Sequence, residues 1–444
     1  MRESISIERL AAHGIKNIPS GWLTSKVKYL ADYINGYAFK PNDWSSIGKP
    51  IIRIQDLSSN DSIPNRYEGK LDSCYEVKEG DFLISWSATL GLFVWQGENA
   101  WLNQHIFKVV LNEKLLRREY YSWLATWFME ELSRDTHGST MQHLTKDAFG
   151  SFPVVLPPFT TQTKIANYLD RKTAELGQLV GAKQRLLKLL DEKKRALIAR
   201  AVTRGLNPDV PLKESGIPWL GRIPTHWEIE RSRWLFTQSD LPVREDDEMV
   251  TCFRDGMVTL RSNRREAGFT NAILELGYQG VRKGQLVIHS MDAFAGAIGV
   301  SDSDGKCTPE YVICDPVTDK TDSDYYAVLL REMALQHFIQ AQCSAVRERA
   351  PRIRFTQFKD FELPVPHIEE QKLIVAHIKQ ASQSIKQLQE VTEKAISLLK
   401  ERRTALISAA VTGKLANEIL NAGRDTQTNE PMPNPVGEHH PCLT

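Results

Sequence analysis

FPVVLPPFTTQTKIANYLDRKTAELGQLVGAKQRLLKLLDEKKRALIARAVTRGL, residues 152–206, returns later in the same chain as FELPVPHIEEQKLIVAHIKQASQSIKQLQEVTEKAISLLKERRTALISAAVTGKL, residues 361–415. With Gln162 laid over Gln371, an offset of 209, the two align without a gap and agree at 16 of 55 positions. Matches that close up into blocks, such as Ala196-Leu197-Ile198 over Ala405-Leu406-Ile407, mark a duplication, because chance would scatter them. A weaker echo sits near the start of each half, at an offset of 205 between Ile18-Pro19-Ser20-Gly21-Trp22 and Ile223-Pro224-Thr225-His226-Trp227. Val77-Lys78-Glu79-Gly80 likewise resembles Val281-Arg282-Lys283-Gly284, and each precedes an apolar run, Phe82-Leu83-Ile84 or Leu286-Val287-Ile288. Tyr120-Tyr121 and Tyr325-Tyr326 correspond as well. Between these anchors the halves diverge, so the chain order is variable domain, shared helix, variable domain, shared helix.

In the first shared segment the apolar residues Ile165, Leu169, Leu176, Leu179, Leu186, Leu190 and Leu197 are separated by 4, 7, 3, 7, 4 and 7 positions, which is heptad spacing. Ile374, Ile378, Ile385, Leu388, Ala395, Leu399 and Leu406 repeat those steps. Each segment follows a proline-rich stretch, with Thr160 or Glu369 as the capping residue, and the first should stop near Gly205. About 45 residues at 1.5 Å rise give a rod of roughly 65 Å. One such rod would leave an apolar seam in water, whereas two in one chain can bury each other. The expected fold is mixed α/β: two globular α/β domains separated by two long helices that form an antiparallel coiled coil, related by a pseudo-twofold. The expected segments are 1–150, first domain; 151–210, central helix; 211–358, second domain; 359–416, distal helix; and 417–444, a disordered polar tail. Within the domains, Pro50 to Asp56, Asp81 to Trp95 and Gly284 to Val300 read as β, and Arg117 to Leu132 and Tyr325 to Gln340 as helix. Their aromatics read as core rather than as base-stacking residues.

The bulk numbers set the frame. The chain has 444 residues, 41% hydrophobic and 25% charged, ordinary for a globular protein of two or three domains. No apolar run reaches the ~18 residues of a membrane span, and Met1 to Leu10 lacks a signal-peptide core. Cys74, Cys252, Cys307, Cys314, Cys343 and Cys442 are scattered, against a disulfide framework or a structural zinc site, so a cytoplasmic location is expected. With 56 Lys+Arg against 55 Asp+Glu, any nucleic-acid affinity must come from local concentrations of basic residues.

Ser215-Gly216-Ile217-Pro218-Trp219-Leu220-Gly221-Arg222-Ile223-Pro224-Thr225-His226-Trp227 resembles the opening of a target-recognition domain in specificity (S) subunits of type I restriction-modification systems. Pro364-Val365-Pro366-His367-Ile368-Glu369-Glu370-Gln371 and Ala409-Ala410-Val411-Thr412-Gly413-Lys414-Leu415 resemble the start and close of that family's shared helix. The resemblance runs from about Ile15 to Leu415; the first copy departs from it in reading Thr160-Thr161-Gln162 and in lacking the Trp-Leu-Gly phrase. It implies two domains that each read half of a bipartite, asymmetric double-stranded DNA target, and two helices that set the unread spacer. It also implies docking of modification (methyltransferase) subunits, two in number, with restriction (motor-nuclease) subunits joining through the complex. S-adenosylmethionine, ATP and magnesium would then belong to partner subunits, with no cofactor, metal or catalytic residue in this chain.

The residues offer little chemistry of their own. Leu156-Pro157-Pro158-Phe159 has the tail of an amino-methyltransferase motif but Leu where Asn or Asp must accept the amino protons, and it reads as a helix-start signal. Gly299 to Cys307 has the wrong spacing for a phosphate loop, and Cys307 stands where Ser or Thr is needed. Asp191-Glu192-Lys193 reads as a solvated face, and His439-His440 alone make no metal site.

DNA affinity needs cations near phosphates, and base reading needs Arg, Lys, Asn or Gln at base edges. The candidates in the first domain are Arg53, Gln55, Arg66 and Lys70, with Ser139, Thr140 and Gln142 between His137 and His143. In the second they are Arg261, Asn263, Arg264, Arg265, Arg347, Arg349, Arg352 and Arg354. Lys183 to Arg204 is also rich in basic residues and reads either as a solvated helix face or as a docking surface. Three other readings stay open at this point: a self-contained nuclease or methyltransferase with an unfamiliar site, against which the missing motifs argue, a sequence-specific DNA-binding regulator, and a coiled-coil scaffold without a methyltransferase partner.

Overall fold

The computed structural model describes residues 5–58, 64–87, 89–135, 144–264, 277–342 and 352–425. They fall into two compact units, Met1–Ala182 with Ala395–Thr444, and Lys183–Lys394. Each unit takes one variable domain and half of each long helix, so the division passes through the helices and not between the segments drawn from the sequence.

In the first unit, β1 (Ala31–Asn35), β2 (Phe82–Ser85), β3 (Gly91–Val94) and β4 (Ile106–Leu111) form an antiparallel sheet in the order β1-β4-β2-β3. Strand alternation sends Phe82 and Ile84 into the main core and Leu83 into a second cluster with Ile52, Val77 and Leu102, which is why this strand is an unbroken apolar run. Helix α1 (Arg118–Asp135) lays Tyr120, Tyr121, Leu124, Trp127 and Phe128, all buried, into the main core. Burying Leu124 or Phe128 contributes about 1.5–3 kcal/mol.

The second unit repeats the plan. Its strands β5 (Phe236–Gln238), β6 (Leu286–His289), β7 (Ile298–Val300) and β8 (Tyr311–Pro316) lie in the order β5-β8-β6-β7, the same order as in the first unit. Leu286 and Ile288 face the main core, Val287 a second cluster, and α3 (Ser323–Leu335) buries Tyr325, Tyr326, Leu329, Leu330 and Met333. The plans part at the second layer. The first unit builds a four-stranded sheet there, with Ile51 parallel to Trp101; among the described residues the second has two ribbons, Val250–Cys252 with Val258–Leu260 and Gln279–Val281 with Gly305–Cys307, joined by a bridge between Met249 and Lys306. Expectations for local structure hold broadly, except that the strand expected over Pro50 to Asp56 gives way to a helix at Ile54–Ser58, and the helix expected over Tyr325 to Gln340 ends at Leu335 and is broken at His337, φ +64°.

The long helices are α2 (Phe159–Arg204) and α4 (Ile368–Val411). In the first unit, Ile165, Ala166 and Leu169 share a core with Ile407, Ala410 and Val411; in the second, Ala201 and Val202 share one with Ile374, Val375 and Ile378. The start of each helix thus meets the end of the other, which is antiparallel packing. A buried glutamine anchors each start. Gln162 Oε1 accepts the Arg117 N–H at 2.8 Å, and its Nε2 donates to the carbonyls of Leu115 and Pro157 at 2.9 and 3.0 Å. Gln371 does the same with Asp322 N–H (2.9 Å), Lys320 O (3.0 Å) and Pro366 O (2.8 Å). At the other end, Gly205 and Gly413 stop the helices at φ of +72° and +84°, a left-handed conformation that glycine adopts without strain. A Cβ on Gly413 would also stand 2.7 Å from Pro19, and one on Gly205 2.9 Å from Glu370 Oε1.

The helix seam differs from the leucine pattern. Ile165, Leu169, Leu176, Leu190, Ile374, Ile378 and Ile385 are buried and Leu197, Leu399 and Leu406 partly so, but Leu179, Leu186 and Leu388 are 51%, 36% and 45% exposed. Burial instead follows Leu169, Thr173, Leu176, Val180, Lys183, Leu187 and Leu190, in alternating steps of four and three. Threonine is admitted because its hydroxyl bonds back to the carbonyl four residues earlier: Thr173 to Leu169 O at 2.6 Å, and Thr392 to Leu388 O at 2.7 Å. Lysine is admitted because its aliphatic stem covers the seam while the ammonium reaches water.

The polar tail begins later than residue 417. Ala416–Asp425 is a helix whose Ala416 and Ile419 are buried in the first core, three residues apart on one face, an apolar spacing too short to show as a period. Residues 426–444 lie outside the described residues.

Candidate nucleic-acid interface

The two domains share a corner where the central strand of the sheet ends. Ser85 of β2 pairs with Ile106 of β4, and His289 of β6 pairs with Tyr311 of β8. Just past each strand the backbone receives a returning segment: Leu144 N–H donates to Trp86 O at 3.2 Å, and Ile353 N–H to Ser290 O at 3.0 Å. The framework is the same; the side chains differ. In the first domain the corner holds Trp86, Gln104 and His105, with Trp86 and His105 rings 5.5 Å apart and Gln104 Nε2 3.3 Å from His105 Nε2. In the second it holds His289 against Tyr311 (4.6 Å between rings), Arg352 on Glu310 (3.0 Å) and Arg254 on Asp292 (3.0 Å). Burial lowers the pKa of His289, opposed by Asp292 and Glu310. The neutral ring then accepts the Asp292 N–H on Nδ1 at 3.1 Å.

The candidate contacts from the sequence scatter around this frame. In the first domain Arg53 is half-buried beside Asp56 (3.6 Å) and lies 5.9 Å from the Trp44 ring; Arg66 is held by Glu98 (2.6 Å) and Gly48 O (2.7 Å). Gln55 and Lys70 are exposed. In the second, Arg261 Nε donates to Thr251 Oγ1 (3.2 Å), Asn263 donates to Thr259 Oγ1 (2.8 Å), and Arg264 sits on Asp255 (2.8 Å) over the Phe253 ring. Arg352 reaches the shared corner and Arg354 is exposed two residues on. Ser139, Thr140, Gln142, His137, His143, Arg265, Arg347 and Arg349 lie outside the described residues. Arg53, Arg66, Arg264 and Arg352 each carry an acidic neighbour, so their charge is locally compensated. Sequence reading missed Trp86, Gln104, His105, His289, Tyr311, Arg254 and Glu310. Their signal was present as position relative to the Phe82 and Leu286 runs, where the two halves keep register but change chemistry.

The motifs set aside from the sequence have structural roles. Leu156 closes a strand paired with Leu23, and Pro157 gives its carbonyl to Gln162, so this Pro-Pro-Phe starts a helix. Gly299 packs where a Cβ would lie 2.0 Å from Gly256 O, inside a strand. Burial pushes the Cys252 and Cys307 thiols up to about 12, which leaves them protonated and unreactive. Among the described residues no group of three or more His, Cys, Asp or Glu could hold a metal ion, and no helix is long and apolar enough to cross a membrane.

A sequence model of the type I restriction modification DNA specificity domain matches residues 19–186 and 284–396. The chain belongs to that family. The matched stretches carry each domain's central strand, its shared corner and the start of its long helix, the parts of the fold that are written twice. A type I restriction enzyme specificity subunit of Escherichia coli, EcoBI, is 23% identical over 433 residues, covering 91% of this chain and 88% of that protein. The MjaVIII specificity subunit of Methanocaldococcus jannaschii is 21% identical over 439 residues, covering 92% and 96%. Among solved structures, a chain from work on complex assembly and conformational transition of the type I R-M system matches with a TM-score of 0.64 at 13% identity, covering 89% of this chain and 98% of that one. The HsdS subunit from Thermoanaerobacter tengcongensis matches with a TM-score of 0.53, also at 13% identity and the same coverage. At that identity the structural likeness speaks for the fold.

Proposed function

We propose that this chain is the DNA-specificity subunit of a type I restriction-modification complex. Each recognition domain reads one half of a bipartite, asymmetric target, and α2 and α4 dock two modification subunits, through which restriction subunits join. The observation that carries this reading is the duplication itself: one sheet order and one helix anchor used twice, with different side chains at the matching corner. Readers of two different half-sites need a common frame and unlike contact surfaces. A symmetric regulator would present identical surfaces, and a scaffold would have no use for unlike ones.

The chain performs no chemistry itself. S-adenosylmethionine serves the modification subunits, and ATP and magnesium the restriction subunits, in the cytoplasm. Alone it binds DNA weakly, because its cations are largely matched by acids and phosphate affinity grows with uncompensated charge. Mapping adenine methylation across the genome, with the gene and its modification partner present and again after deletion of this gene, tests the proposal. Disappearance of one bipartite asymmetric motif is the expected result. An unchanged methylome with an active partner would overturn it.

A further inference from the structure

Resting on that DNA-reading role, the matching corners point further, to which residues read bases and which bases they read. A base-reading side chain must reach solvent, as the exposed Arg352 and the half-buried Gln104 do, be held in one geometry by its own fold, and be left with a donor and acceptor pattern that matches a base edge. Arg352 meets these terms in the second domain. Its Nη1 is fixed on Glu310 Oε1 at 3.0 Å while the side chain stays 47% exposed, so Nη2 and Nε have no partner among the described residues. Ser290 ties Glu310 and the residue after Arg352 together: Ser290 N–H donates to Glu310 O at 2.8 Å, and Ile353 N–H donates to Ser290 O at 3.0 Å. A buttressed guanidinium of this kind presents two parallel N–H groups, the pattern that fits O6 and N7 of guanine.

At the matching corner of the first domain stands His105, which takes the place of Glu310, with Gln104 beside it. Gln104 has its backbone N–H on Tyr37 O at 3.0 Å and its amide nitrogen against His105 at 3.3 Å. That leaves the amide oxygen and one amide hydrogen for N6 and N7 of adenine. The neighbouring Asn103 turns its amide oxygen to the His105 N–H at 3.4 Å, and Arg264 in the second domain is occupied by Asp255 and the Phe253 ring. We propose that the corner at the end of the central strand is the base-reading surface of each domain. Gln104 reads an adenine in one half-site, and Arg352, buttressed by Glu310, reads a guanine in the other.

The test is the methylation motif written by the complex of this chain with its modification partner, for the parent, Arg352→Lys, Arg352→Gln and Gln104→Ala. Lysine keeps the charge that a phosphate contact needs but loses the fork. The expected result for Arg352→Lys and Arg352→Gln is relaxation at one G·C pair of one half-site, with preference for that base falling about tenfold to a hundredfold. Gln104→Ala should relax one A·T pair of the other half-site. Either half-site stays intact when the other domain is changed, which also shows that the variant folds and assembles. A motif that stays unrelaxed in Arg352→Lys and Gln104→Ala, at full or reduced methylation, overturns the proposal, as does relaxation of the same half-site by both. A parent complex that writes no bipartite motif would instead overturn the DNA-reading role beneath it.

Discussion

Replacing Gln371 with leucine removes three hydrogen bonds and almost no volume. Gln371 is fully buried, receives the Asp322 N–H, and donates to Lys320 O and Pro366 O at 2.8–3.0 Å. Asp322 caps α3 through Tyr325 N–H at 2.9 Å, so the glutamine ties the start of one helix to the cap of another. Each neutral hydrogen bond is worth about 1 kcal/mol net, and a buried group left without a partner costs about 1–3 kcal/mol. The Lys320 carbonyl can turn to water more easily than the Pro366 carbonyl, which belongs to the helix start. About 3–4 kcal/mol is therefore expected for Gln371→Leu, and for a unit of this size each kcal/mol moves Tm by about 2–4 °C. Thermal unfolding should show a transition lowered by roughly 6–16 °C, with Gln162→Leu producing a similar shift from its own three bonds. A shift under about 2 °C in Gln371→Leu would refute the reasoning, because it would mean the site needs the shape of the side chain and not its polarity.

Three further outcomes are expected. Leu176→Ala, at a buried seam position, should cost about 2–4 kcal/mol in denaturant unfolding, while Leu179→Ala, 51% exposed, should cost under about 0.7 kcal/mol; equal costs would mean the seam follows the leucines after all. Gly36→Ala would put a Cβ 2.0 Å from Asn103 O, displacing the backbone beside Gln104, and should destabilise the first unit by about 1–3 kcal/mol; an unchanged unfolding curve contradicts that. His289 has a folded pKa below its ordinary 6.5, so its share of stability is full above that value and is lost as pH falls through it, when the unfolded chain takes up the proton first. Denaturation of the parent and of His289→Gln at pH 7.5 and 5 should therefore show a smaller loss in the variant, and equal losses would place the effect elsewhere.

The reading from sequence was strong where local rules act alone. Heptad spacing and the proline-rich starts located both long helices and Gly205 the end of the first, because these are properties of contiguous residues, but the expected caps Thr160 and Glu369 lie inside the helices, which begin at Phe159 and Ile368. Gln162 and Gln371 served as an alignment anchor, and their alignment reflects identical hydrogen bonding in the two copies. The leucine pattern places Leu179, Leu186 and Leu388 in the seam, yet they are exposed, because the strongest hydrophobes do not by themselves mark the buried face. A helix neighbour accepts threonine hydroxyls that bond backward and lysine stems that lie flat, and neither shows in a count of leucines.

The candidate contacts fared differently. Charged residues can be counted in a sequence, but which of them is spent on an acid many positions away cannot. Arg66 on Glu98 and Arg352 on Glu310 are pairings across 32 and 42 residues. Duplication, helix ends and the apolar central strands were determined by the amino-acid sequence itself, since each rests on neighbours along the chain. The shared corner, the choice of Gln104 and Arg352 within it, and the division of the molecule through its long helices were decided by tertiary structure. Those features join residues that only folding brings within hydrogen-bonding distance.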